Sequence, residues 1–170
     1  MSPRQLLQLL RGRLGARRDA RLFEDVQTYC MFIGHPRSGH TLVGSLLNAH
    51  PEVVIAHELN ALRFLAKGSG RWALTRDQLY AMLLDRDRWF QRRGARWTGY
   101  GYAVPGQWQG RFRTLRVIGD KKGGGTSRQL ERDPELLARL RRLTGVPLRL
   151  VLVVRNPFDN IATIQRRDPE

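Results

Sequence analysis

The chain carries one cysteine, Cys30, so it can form neither an internal disulfide nor a cysteine-based zinc cluster, and it suits a reducing compartment such as the cytoplasm. Its four histidines form no ligand-spaced group, which argues against a zinc site. No apolar run approaches the ~18 residues needed to cross a bilayer. The first residues also lack the apolar core and small-residue cleavage site of a secretion signal. Lysine is nearly absent: Lys67, Lys121 and Lys122 are the only three among 30 basic residues. A lysine kept against so strong an arginine bias marks a position to follow. Repeats and low-complexity tracts are missing too, and with 41% hydrophobic residues over 170 positions the chain reads as one folded domain with a real core.

Acidic residues are few, 15 against 30 basic ones, and the net charge is +15. That implies anionic partners: nucleic acid, a membrane surface or a phosphorylated small molecule. The basic residues run from Arg4 to Arg167 without aromatics interleaved as a base-stacking platform, which argues against nucleic acid.

Residues 1–28 form an N-terminal segment whose residues 3 to about 22 read as a basic amphipathic helix. Leu6, Leu7, Leu10 and Leu14 make its apolar stripe, packed on the domain or laid on a membrane surface as a peripheral contact. Tyr29 to Ile33 is a continuous apolar run, the signature of a strand buried on both faces of a parallel sheet. Thr41 to Ala49 is expected to be helical with Leu42, Val43, Leu46 and Leu47 on one face, and His50 before Pro51 to end it. Val53 to Ala56 reads as a strand, Glu58 to Ala66 and Thr75 to Phe90 as helices, and Arg93 to Gly110 as a loop. Thr114 to Ile118 is a third strand, running into Gly119-Asp120-Lys121-Lys122 and three glycines. Asp133-Pro134-Glu135 starts a helix with a capping side chain, which ends near Gly145. Leu148 to Val154 is the strongest strand, and Phe158 to Gln165 turns helical, with Asp159 supporting its start. Strands alternating with helices predict an α/β class, a P-loop-like three-layer fold with a mostly parallel central sheet flanked by helices. Ligands of such folds sit beyond the carboxyl ends of the strands, where the 34–41 loop, Glu58, Lys121 and Arg155 all fall.

The loop "FIGHPRSGHTLVG" spaces its glycines as a Walker A loop does, Gly34 and Gly39 followed by a hydroxyl at Thr41. Such a loop offers backbone N–H groups and a helix N-terminus to an anion. An ATP or GTP site needs lysine directly before the hydroxyl residue, and here that slot holds His40. The strand that should end in a metal-holding aspartate, "RLVLVVRNP", ends in Arg155. These residues favour a metal-free anion site over nucleoside triphosphate hydrolysis.

At this point the chain resembles a family. "FIGHPRSGHTLVGSLLNAHPEV" resembles the 5′-phosphosulfate loop of sulfotransferases that use 3′-phosphoadenosine 5′-phosphosulfate (PAPS). "LVLVVRNPFDNIAT" resembles their 3′-phosphate motif. "AHELNALRFL" and "GDKKGG" are similar to the catalytic-carboxylate and strand-end lysine segments of the tyrosylprotein and heparan types. The likeness spans about residues 29 to 166 and implies that 29–170 is the N-terminal portion of a sulfotransferase domain: members of the family continue with further helices, so the resemblance implies either a fragment or a chain without those late elements. It implies that Arg37 and the amides of Ser38, Gly39, His40 and Thr41, with the Thr41 hydroxyl, hold the 5′-phosphosulfate. It implies that Arg155 and Thr163 hold the 3′-phosphate. His40 departs from the threonine usual in the family.

The resemblance makes Glu58 the general base, provided its pKa is tuned upward, with His57 as runner-up. Without it, Glu58 is equally well an ordinary first-turn glutamate favouring a helix dipole. Lys121 is the candidate stabiliser of the bridging oxygen, and Lys122 can exchange roles with it. The expected reaction is transfer of a sulfuryl group to a hydroxyl or amine of a carbohydrate, peptide, lipid or small metabolite. Other classes stay open: a degenerate P-loop kinase or nucleotide-binding protein, and a basic anion-binding module. Trp97, Tyr100, Tyr102 and Trp108 read as loop packing or acceptor contacts.

Overall fold

Short apolar runs alternate with amphipathic segments, and the tertiary structure turns that alternation into a sheet with helices on both faces. The computed structural model describes residues 3–67 and 73–167. In chain order the elements are α1 (Pro3–Asp19), a 3-10 turn (Ala20–Phe23), β1 (Thr28–Ile33), α2 (His40–Leu47), β2 (Val53–His57), α3 (Leu62–Lys67) and α4 (Arg76–Arg92). There follow β3 (Arg96–Trp97), β4 (Tyr100–Gly101), β5 (Val117–Lys121), α5 (Gly124–Arg132), α6 (Glu135–Thr144), β6 (Leu148–Leu152) and α7 (Pro157–Arg167). The main sheet has the order β2-β5-β1-β6 and is parallel throughout. The two remaining strands form a small antiparallel hairpin inside the segment expected to be a loop. This is the three-layer α/β architecture, with a more uniformly parallel sheet than the sequence required.

Strand side chains alternate between two cores. Tyr29, Met31, Val54, Ala56 and Ile118 join the larger one, closed by Leu9 of α1, Leu79, Tyr80 and Leu83 of α4, and Leu136 and Leu140 of α6. Cys30, Phe32 and Ile55 face the other way and meet Val43 of α2. The first face is well covered over β1, β2 and β5. At the β6 edge it is not: Leu150 and Leu152, on the face of Met31 by register, stay exposed, as do Val154 just past the strand and Phe158 and Ile161 of α7.

Two apolar stripes face outward, away from the core. In α1 the packed side is Leu9, Gly12 and Gly15, because α4 comes so close that a Cβ on Gly12 would lie 2.6 Å from Met82 Cγ. Leu7, Leu10 and Leu14 are therefore exposed. In α2 the buried residues are His40, Gly44 and Ser45, and Leu42, Leu46 and Leu47 face outward, with only Val43 turned toward the core. Both helices bury small residues against a close neighbour, and side-chain apolarity alone does not register that.

Other boundaries moved as well. The helix expected from Glu58 starts at Leu62, after a turn over residues 58–61. Thr75 caps α4 through a full capping box with Gln78. Asp133 makes no side-chain cap for α6 and instead pairs with Arg139 at 3.4 Å. The third strand runs later than expected, to Lys121, and the three glycines belong largely to α5, which begins at Gly124. Among the described residues no helix is long and apolar enough to cross a membrane.

Candidate active site

β1 is central in the sheet and its neighbours β5 and β6 lead to different loops, so a crevice opens beyond their carboxyl ends. It is an open cleft of about 1100 Å³. Arg37, Ser38, Gly39, His40, Thr41, Glu58, Lys121, Lys122, Arg155 and Thr163 all line it. The residues singled out in the sequence for donor binding or catalysis, His57 excepted, thus reach one space from four separate stretches of chain.

The loop after β1 is held from three sides. The Gly34 N–H donates to Ser127 Oγ of α5 at 2.8 Å. The Ser38 hydroxyl accepts from Asn160 Nδ2 of α7 at 3.1 Å, which ties this loop to the helix carrying Thr163. His40 lies inward, 7% exposed, with Nε2 at 3.0 Å from the Ile33 carbonyl. A carbonyl only accepts, so Nε2 carries the proton, and burial holds the imidazole below its ordinary pKa, hence neutral. The His40 ring is therefore a structural strut, and the expectation for this residue continues to rest on its backbone amide alone. Gly123 makes the strut fit, since a Cβ there would lie 2.8 Å from the imidazole. Arg37 sits at φ 66°, a left-handed conformation uncommon for arginine, and its side chain is half-buried on the cleft wall.

Glu58 follows the last residue of β2 at φ 61°. Its N–H donates to the Lys121 carbonyl at 3.1 Å. One carboxylate oxygen accepts from Lys121 Nζ at 2.8 Å and the other from Lys122 Nζ. Lys121 Nζ also donates to Thr41 Oγ1 at 3.0 Å, so one ammonium bridges the anion loop and the carboxylate. The two lysines take different places: Lys121 is buried between Thr41 and Glu58, and Lys122 is half-exposed on the far oxygen. Burial pushes the Glu58 carboxyl up, but the pull of the two lysines outweighs it and the net shift is downward. This corrects the upward tuning expected of a base. Burial lowers the Lys121 ammonium, partly offset by Glu58.

His57 lies outside this constellation. It is 3% exposed, stacked on Phe90 at 3.9 Å between centroids and edge-on to Trp97 at 4.8 Å. Burial takes its pKa down to about 3. A side chain so enclosed and so weakly basic is packing, which leaves Glu58 as the carboxylate at the cleft.

Arg155 follows β6 and pairs loosely with Asp159 across one helical turn, at 3.8 Å. Thr163 lines the cleft, but its hydroxyl donates to the Asp159 carbonyl at 2.7 Å, so it must turn from that carbonyl to donate to an anion. Two features escaped the sequence reading. Asp120, 2% exposed, accepts the N–H groups of Leu59 at 3.0 Å and Ala61 at 2.8 Å, and so shapes the turn that presents Glu58. The N-terminus of α5 faces the cleft beside Arg128 and Arg132. A carboxylate between Gly119 and Lys121 was a visible signal for the first; nothing local announced the second. Of the aromatics read as loop packing or acceptor contacts, Trp97, Tyr100 and Tyr102 form part of the cleft wall and Trp108 does not. No family model matches the chain, and no curated protein is significantly similar to it.

Proposed function

We propose that the chain is a PAPS-dependent sulfotransferase, on the observation that Arg37, Thr41, Glu58, Lys121, Arg155 and Thr163 converge on one cleft. The amides at the start of α2 and the Arg37 guanidinium bind the 5′-phosphosulfate. Arg155 and Thr163 bind the 3′-phosphate. In the transfer step the acceptor oxygen forms a bond to sulfur as the bond from sulfur to the phosphate oxygen breaks. The acceptor proton passes to Glu58, and Lys121 stabilises the charge that develops on the leaving phosphate.

The lysine clamp on Glu58 fits this scheme as a resting arrangement. The donor's anionic groups compete with the carboxylate for the same two ammonium ions. Drawing them off restores the basicity that burial alone confers on Glu58. The lone Cys30 is buried and its thiol is pushed up to about 11, so it is unreactive; the reducing, cytoplasmic setting we propose rests on there being a single cysteine.

Calorimetric titration tests the donor site. Adenosine 3′,5′-bisphosphate (PAP) is expected to bind more tightly than AMP, without Mg²⁺. Arg155→Ala should remove roughly ten- to hundredfold of that preference, the range of a charge-assisted contact. Equal affinities for PAP and AMP in the unaltered protein would sink the assignment. Arg37→Ala, by contrast, should weaken PAP and AMP alike, by ~1.5–3 kcal/mol, because both share the 5′-phosphate. Unchanged binding would mean that the loop amides hold that phosphate alone.

A further inference from the structure

Helix α1 presents two opposed faces. Leu9, Gly12 and Gly15 are buried, and Ala81 and Met82 of α4 close over the two glycines. Roughly half a helical turn round from this packed side stand Leu7, Leu10 and Leu14, spaced i, i+3 and i+7 and therefore aligned as one ridge. They are 50%, 44% and 71% exposed. Exposed Arg11 lies on one flank of the ridge and exposed Arg17 on the other, and Arg21 and Leu22 continue the exposed surface into the 3-10 turn. No acidic residue occurs before Asp19, which is buried and paired with Arg18 and Arg88.

We infer that α1 is a docking surface for an anionic lipid bilayer. Three leucines in a row on the outside of a helix do not serve the core, since a different set of residues packs α1 onto α4. The ridge is convex and lies on a single helix, so it offers no groove to a peptide. A second copy would bring arginine against arginine, at a net charge of +15 per chain. A fluid apolar layer with negative headgroups satisfies both components: the leucines enter the boundary between headgroups and acyl chains, and Arg11, Arg17 and Arg21 remain at headgroup level. The helix lies in the plane of the surface, and the rest of the domain stays in water.

Vesicle flotation separates this from plain charge attraction. The probes are vesicles of phosphatidylcholine alone and of phosphatidylcholine mixed with phosphatidylglycerol. The unaltered protein is expected to float only with the mixed vesicles. A Leu7→Ser, Leu10→Ser, Leu14→Ser variant keeps every charge and should bind them at least about tenfold more weakly, since three leucines lose their apolar burial. Arg11→Gln with Arg17→Gln should weaken binding and flatten its salt dependence. Leu14→Ser alone, at the most exposed position, gives the same sign with a smaller loss, and thermal unfolding of each variant verifies that α1 remains packed. The inference is overturned if the leucine variant floats as well as the parent, if phosphatidylcholine alone recruits the protein equally, or if no flotation occurs. It is also overturned if light scattering shows a dimer that the leucine variant abolishes.

Discussion

Glu58→Gln is expected to cut sulfuryl transfer by ~10²–10⁴-fold, the usual cost of losing a general base. Glutamine keeps the shape and a hydrogen-bonding oxygen but cannot take the acceptor proton. PAP affinity should hold or rise, because the neutral side chain no longer competes for Lys121 and Lys122. The clamp adds a second measurement with a defined sign. With both lysines on it, Glu58 lies below its ordinary pKa; a donor that draws them off leaves the upward push of burial less opposed, so the carboxyl is expected to rise on binding. PAP binding should therefore take up more protons in the parent than in Glu58→Gln, and the difference should grow as pH falls from neutral toward the carboxylate range. Calorimetry in buffers of different ionisation enthalpy reads this directly, and comparison with the variant cancels the titration of PAP itself. His57→Gln should lower stability through its stacked position while leaving turnover per folded molecule within a few-fold. Turnover that survives Glu58→Gln and collapses in His57→Gln would move the base to histidine. Loss of PAP binding in Glu58→Gln would make Glu58 a structural residue.

Asp120→Ala should be the most damaging single change to the architecture of the site. It orphans the N–H groups of Leu59 and Ala61, each buried, at ~1–3 kcal/mol apiece, so unfolding should become easier by roughly 2–6 kcal/mol. The turn that holds Glu58 and Asn60 at positive φ then loses its anchor, and transfer activity should drop even well below the unfolding temperature. The pH dependence distinguishes this from generic damage. Burial raises the Asp120 carboxyl from an ordinary 3.8 to about 6. Between those values the folded protein binds a proton that the unfolded chain does not, so the parent gains stability from this group as pH falls from about 6 to about 4. The variant lacks that gain, and the gap between the two should widen on acidification. A gap that narrows over that range would show that Asp120 is charged and paired in the folded state.

Much of the fold was legible because it depends on local pattern. The apolar run at Tyr29–Ile33 suits a strand covered on both sides, and a glycine-bounded loop after such a strand suits entry into a helix. Thr75 announced α4, and the alternation of elements announced a parallel sheet. The candidate site was legible for a related reason. In a parallel α/β sheet every residue just past a strand end lies on the same edge, so Arg37, Glu58, Lys121 and Arg155 share a cleft by topology alone.

What the sequence by itself determined, then, is the order of the elements and the edge of the sheet at which its charged residues gather, because both follow from the period of apolar residues and the reach of a short loop. Which way each side chain turns was decided only in three dimensions. His40 occupies the slot of a phosphate ligand yet folds inward, because the Ile33 carbonyl and the space left by Gly123 hold it there. The leucines of α1 face out because two glycines allow α4 to approach the other side. Glu58 is a clamped carboxylate, not a free base, because Lys121 and Lys122 come from the end of β5 and the residue after it, more than sixty residues away. Contacts of that separation leave no trace in local periodicity; they exist only once β2 and β5 lie side by side.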